Sequence, residues 1–274
     1  MLVPRRAEAE RRPAFMLPHI SPADLSWLLS IAFGVGALIG AVGIGGVLLI
    51  PALTAFAALP IQTAMATALF TFAFTGIVGT AMFQRRGSID WHVTRPVVSS
   101  AVIFAFVGAW VNSIARPTTL ALVLAGVIVF AGVYTLLTWH GMRQTAFRDE
   151  AGSQRLLLAA IGGIAGFGSG LTGVGGPALS VPLMVMFGFP ALVSIGASQV
   201  LQIVAAISGT LGNLRFGSID FAIAAIVTLL ELAGVIVGVR LAHAVDAGVL
   251  RKVVAVLCLV VGAALVLREL RGLQ

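Results

Sequence analysis

Gly40-Ala41-Val42-Gly43-Ile44-Gly45-Gly46-Val47-Leu48-Leu49-Ile50-Pro51 is the stretch that decides the fold. Its glycines sit inside a run, Leu25 to Gln84, that holds no charged residue and no histidine. Glycine in a helix interior costs roughly 1 kcal/mol relative to alanine, so an ordinary membrane helix has no local reason to carry a cluster of them. The pattern returns 130 positions later, where Gly170, Gly173, Gly175 and Gly176 match Gly40, Gly43, Gly45 and Gly46. The second cluster also lies in an uncharged run, Leu156 to Leu214. The tetrapeptide Gly87-Ser88-Ile89-Asp90 recurs at the same offset as Gly217-Ser218-Ile219-Asp220. Two motifs with one offset indicate a duplication. Duplicated apolar halves with interrupted helices in matching places are the sequence pattern of a secondary transporter.

Composition sets the class. Hydrophobic residues make up 59% of the chain and charged residues 10%, against about 25% charged in soluble domains. The expected fold class is therefore all-α, a polytopic membrane protein. A membrane β-barrel would show alternating segments of about 10 residues, and none is visible. The net charge of +7 would suit nucleic acid, but the arginines lie in short connectors and at the ends, where they read as topology signals. No nucleic-acid partner is expected. The basic segment 1–24, with Arg5, Arg6, Arg11 and Arg12, lacks the apolar core and cleavage site of a signal peptide. Cys258 is the lone cysteine, so no intramolecular disulfide is expected.

Eight spans are predicted: Leu25–Leu59, Ile61–Phe83, Pro96–Ile114, Thr119–Trp139, Leu156–Phe187, Ala191–Leu211, Phe221–Val239 and Leu250–Leu267. The first and fifth are too long for one straight crossing of about 20 residues, and each contains a glycine cluster. The chain divides into a basic N-terminal segment (1–24), a first transmembrane repeat (25–140), a cytoplasmic connector (141–155) and a second repeat (156–268). Each repeat is expected to be a four-helix unit with a broken first helix. With the N-terminus inside, Arg85, Arg86, Arg95, Arg143, Arg148, Arg155, Arg215, Arg268 and Arg271 all fall on the cytoplasmic side. That bias predicts two parallel halves and both termini in the cytoplasm.

The breaks carry the chemistry. A half-helix is predicted to start near Val47 and another near Pro177, since proline suits a helix's first turn. A helix N-terminus at membrane depth offers free N–H groups and partial positive charge, an anion site without a cationic side chain. Gly45, Gly46, Val47, Gly175 and Gly176 are the candidate backbone donors. The competing reading is close helix packing, which Gly36 and Gly40 fit well. In the second and sixth spans, Thr67, Ser198, Gln199 and Gln202 are candidate substrate contacts; interhelical hydrogen bonding is the alternative. Glu231, the one acid well inside a span, is the candidate carrier of a coupling proton. Asp90 and Asp220 are predicted to cap the helices that follow them. No P-loop, metal-binding pattern or catalytic constellation is present, so no cofactor, no metal and no enzymatic activity are expected. Gly166-Phe167-Gly168-Ser169-Gly170 has a serine-protease look, but no span supplies a partnering histidine.

Taken together, Gly43-Ile44-Gly45-Gly46…Pro51 with Gly87-Ser88-Ile89-Asp90, and Gly173-Val174-Gly175-Gly176…Pro182 with Gly217-Ser218-Ile219-Asp220, make the chain resemble the sulfite exporter TauE/SafE family over residues 25–268. It departs at Val47, where relatives often have a third consecutive glycine. The resemblance implies transport of a small sulfur-containing anion (sulfite, a sulfonate or sulfoacetate) across the bacterial cytoplasmic membrane. The expected partners are that anion and the lipid bilayer, and a homo-oligomer stays open. An anion channel and a non-transporting membrane assembly or sensor are the alternative readings.

Overall fold

The computed structural model describes residues 20–43, 45–137 and 150–241, with isolated positions from 256 to 267. The regular elements among them are all helical: α1 (Pro22–Val42), α2 (Leu49–Phe56), α3 (Ile61–Arg85), α4 (Trp91–Ile114), α5 (Pro117–Leu137), α6 (Ala151–Thr172), α7 (Pro177–Met186), α8 (Ala191–Phe216) and α9 (Phe221–Leu241). A 3-10 turn, Gly46–Leu48, leads into α2. Among the described residues, six helices are long and apolar enough to cross a membrane: α1, α3, α4, α6, α8 and α9. Most of the predicted eighth span, 250–267, and most of the connector 141–155 lie outside the described residues.

Local chemistry explains where the helices begin and end. The Asp90 carboxylate accepts from the His92 N–H at 2.9 Å, and Asp220 Oδ1 accepts from Ala222 and Ile223 N–H at 3.1 and 3.0 Å. Both aspartates are therefore N-caps, as the sequence predicts. Helices α1 and α6 each stop on a left-handed glycine, Gly43 (φ 80°) and Gly173 (φ 67°). At this position a side chain would be strained.

Contacts along the helices fix their relative directions. Thr63 and Thr67 near the start of α3 bond Ser218 and Asp220 at the start of α9, while Arg86 at the end of α3 reaches the Val239 carbonyl. Those two helices run parallel. Helix α1 also runs parallel to α9, with Gly36 against Glu231 and Gly40 against Val235 and Val239. Likewise α4 runs parallel to α6, with Val97 facing Gly162, Ala101 facing Gly166 and Ala105 facing Gly170, and to α8, with Val102 facing Ser208. Helices α3 and α8, in contrast, are antiparallel: Leu69 meets Gly209, Phe72 meets Gln202, and Gly79 meets Gln199.

Helices α1 and α3 thus point one way, and their counterparts 130 positions on, α6 and α8, point the other. The expectation of parallel halves does not hold. The reason lies in the glycine breaks. After Gly43 the chain turns back, so that Gly45 packs on Val35, Leu38 and Ile39 of its own preceding helix. The segment from Gly45 to Pro60 is a return passage, which lets α3 start at the end of the molecule where α1 starts. Charge counting had treated α1 and α2 as one broken crossing, and one additional passage inverts everything that follows. As a result Arg215 lies at the opposite end from Arg85, Arg86 and Arg95. Helix α4 ends where α8 ends, and α6 starts where α4 starts.

Small residues bring the crossing helices together. A methyl group on Gly166 would sit 2.7 Å from Ala101 Cα, and one on Gly36 would be 2.7 Å from Glu231 Cα. Hydrocarbon offers no hydrophobic drive between helices, so such backbone-to-backbone packing supplies the association energy. Gly40 and Gly170 belong to these packing seams. Large apolar side chains such as Trp27, Ile103, Leu156 and Leu229 point outward, as a lipid-facing surface requires.

Candidate functional site

The two glycine breaks meet. A methyl on Gly46 would lie 2.6 Å from the Val174 carbonyl oxygen and 2.8 Å from Phe72 Cζ. A methyl on Gly175 (φ 87°) would lie 3.1 Å from Phe72 Cδ2 on the same ring. Gly43 faces Val181 and Pro177 of α7 and the Ser198 hydroxyl of α8, at 3.4, 3.6 and 3.6 Å from the same construction. Gly176 is pressed against Leu201 and the backbone nitrogen of Gln202. Two separately encoded breaks, far apart in sequence, are therefore one place in the molecule.

Each break begins a short helix. Pro177 is the first residue of α7, as expected from its rigid φ, and the 3-10 turn at Gly46–Leu48 opens α2 close to the predicted start at Val47. The first N–H groups of a helix have no intrahelical acceptor. Here two such ends adjoin with no charged side chain from Leu25 to Gln84 or from Leu156 to Leu214. Helix N-termini carry partial positive charge.

The middle of α3 organises the polar residues around this junction. Gln202 Nε2 donates to the Phe72 carbonyl at 3.1 Å and to Thr75 Oγ1 at 2.7 Å. Gln199 Nε2 donates to the Ile39 carbonyl at 3.2 Å near the end of α1, while its Oε1 is buried without a partner among the described residues. Ser198 Oγ donates to the Ile195 carbonyl within its own helix. Thr67 Oγ1 accepts from the Asp220 N–H, which commits it to holding the start of α9. Glu231 is fully buried among α1, α3 and α9, beside Thr71, and neither carboxylate oxygen has a hydrogen-bond partner among the described residues. The sequence-predicted positions Gly45, Gly46, Val47, Thr67, Gly175, Gly176, Ser198, Gln199, Gln202 and Glu231 are all buried, so the junction is closed to solvent.

Gly46, Gly175, Gly176, Gln202 and, through Gly43, Ser198 are brought together at the junction. Gln199 and Glu231 border it through α1 and α3, while Gly45 packs back on α1 and Thr67 is spent elsewhere. Phe72 is a contributor that the sequence reading does not single out. Phe72 is one apolar residue among many in an apolar helix; only its offset of 130 from Gln202 marks it. Asn112 was missed too, although a buried amide in an apolar span is the signal that singled out the glutamines. Its Nδ2 donates to the Leu171 carbonyl at 2.6 Å, beside the second break.

The sulfite exporter TauE/SafE family model matches residues 28–265. The chain belongs to this family. Among curated proteins it is 26% identical over 230 residues to the probable membrane transporter protein YdhB of Bacillus subtilis, covering 83% of this chain and 94% of that one. A second B. subtilis probable membrane transporter protein, YunE, is 25% identical over 221 residues, covering 70% and 77%. A probable membrane transporter protein of Haemophilus influenzae is 27% identical over 186 residues, covering 64% and 67%. No solved structure matches the chain. This TauE/SafE family member is a multi-pass membrane protein of a transporter family, and its relatives are described as transporters rather than enzymes.

Proposed function

We propose that this TauE/SafE protein is a secondary transporter that exports small sulfur-containing anions, of the sulfite, sulfonate or sulfoacetate class, across the bacterial cytoplasmic membrane. The observation that carries the reading is the meeting of the two breaks around Phe72. Two half-helix N-termini adjoining at a buried junction hold an anion by backbone dipoles, and the lack of a fixed cation keeps binding weak enough for release. We read the two halves as inverted repeats, which the opposed directions of α3 and α8 support. In such transporters the substrate site lies near the midplane between the repeats, at interrupted helices.

In a negative-inside cell, the membrane potential favours anion efflux by about 2.3 kcal/mol per charge per 100 mV. Glu231 is the proposed carrier of a coupled proton. It is buried against faces of α1 and α3 that have no charged residue or histidine between Leu25 and Gln84.

The test is sulfite flux in proteoliposomes under an imposed potential. The wild type gives saturable flux with counterflow, Gly175→Leu gives background flux, and Glu231→Gln removes the response to an imposed pH gradient. Non-saturating flux without counterflow would mean a channel. Unaltered pH response in Glu231→Gln would remove the proton from the mechanism.

A further inference from the structure

The side chain held between the two breaks is an aromatic ring. Phe72 is fully buried, and its ring faces Gly46 through Cζ and Cε2 and Gly175 through Cδ2 and Cε2. A substituent on either glycine would meet the ring before it met open space. The position 130 residues on is Gln202, so the second half supplies an amide where the first supplies the ring. That amide bonds the Phe72 carbonyl and the Thr75 hydroxyl. The backbone carrying the ring is thereby tied to α8, while the ring itself is held by packing alone. Displacing the ring therefore opens the space between the half-helix ends without breaking a hydrogen bond.

We infer that Phe72 is the gating and size-selecting residue of this transporter: its ring fills the junction between the breaks and must swing aside for an anion to reach both half-helix ends. This rests on the reading that the anion binds between the breaks. Because the two halves differ here, the site has one aromatic gate rather than a symmetric pair. The ring's neighbours also set the size limit. A compact oxyanion fits in the space vacated, whereas a longer organic tail competes with the ring for it.

Two readouts test this, one of them independent of the substrate. In a Cys258→Ser background, Ser198→Cys places a thiol beside the junction. Its rate of modification by a small anionic methanethiosulfonate reports access with no transport required. Phe72→Ala raises that rate at least tenfold, and Phe72→Leu, the milder change should the alanine variant fold poorly, raises it about threefold. In parallel, Phe72→Ala allows butanesulfonate to compete with sulfite uptake at least tenfold better than in the wild type. Phe72→Trp, eluting as folded protein, takes uptake to background. Equal thiol modification rates with Phe72, Leu and Ala would overturn the gate. Unchanged competition by butanesulfonate in Phe72→Ala would overturn the size selection. Wild-type protein that moves no sulfur anion would contradict the proposed function, while the thiol rates still decide the role of Phe72.

Discussion

The two halves of the molecule share a backbone plan and differ in the side chains attached to it. Gly46 and Gly176 hold corresponding places in the two breaks, Gly79 and Gly209 receive a side chain from the opposing helix, and Gly36 and Gly166 seat the backbone of a partner helix. What they receive is not the same. Gly79 meets Gln199, where Gly209 meets Leu69; Gly46 meets Phe72, where Gly176 meets Leu201 and the backbone of Gln202; Gly36 seats Glu231, where Gly166 seats Ala101. In two of the three pairs, Gly79/Gly209 and Gly36/Gly166, the polar or acidic side chain comes from the second half. Small residues at matching places make the scaffold, and the side chains packed against them are unequal.

Breaking the shared scaffold has the largest expected effect and strikes both halves alike. Gly40→Leu and Gly170→Leu would each drive a side chain into the backbone of a partner helix, Val235 in one case and Ala105 in the other. Neither variant is expected to be recovered as folded protein. The alanine versions should cost about 1–3 kcal/mol each, read as matched losses of thermal stability in detergent. A large loss in one and none in the other would break the equivalence.

Removing the asymmetry is milder. Gln202→Leu leaves the buried Thr75 hydroxyl and Phe72 carbonyl without their amide donor, a loss of about 1–3 kcal/mol. Gln199→Leu, which gives α8 the residue found at position 69, should cost about 1 kcal/mol or less, because it deletes one bond to Ile39 and also removes an oxygen with no partner. Detergent unfolding of the two variants side by side checks the order.

The smallest effects come from the caps. Asp90→Ala and Asp220→Ala should each cost about 1 kcal/mol. Asp220 should be the costlier, because its carboxylate takes two N–H groups and that of Asp90 takes one. Sulfite flux per folded molecule should stay the same in both.

Much of this was legible in the chain. Charge-free runs identified a helical membrane protein, the glycine clusters located the breaks, Pro177 marked the first residue of α7, and the repeated aspartates were caps. The direction of the second half was not legible. Helix α2 has eight residues and α7 has ten, too short to register as separate passages in an apolar run, and hydropathy has no sign that distinguishes going forward from turning back. The arginines reinforce the error, since Arg85 and Arg215 precede the same Gly-Ser-Ile-Asp motif at the same spacing yet lie at opposite ends of the molecule. Phe72 was hidden for another reason. Its role depends on what two distant glycines place against it, and an apolar residue within an apolar helix carries no local mark of that.

The opposed directions of α3 and α8 put Arg85 and Arg215 at opposite ends of the molecule. Arg85 and Arg215 are both exposed at helix ends. Each can be replaced by cysteine in a Cys258→Ser background and exposed, in intact cells, to a membrane-impermeant thiol reagent. The inverted arrangement predicts that one of the two variants is modified and the other is protected until the membrane is permeabilised. Modification of both, or protection of both, would place the two turns on one side of the membrane and contradict it.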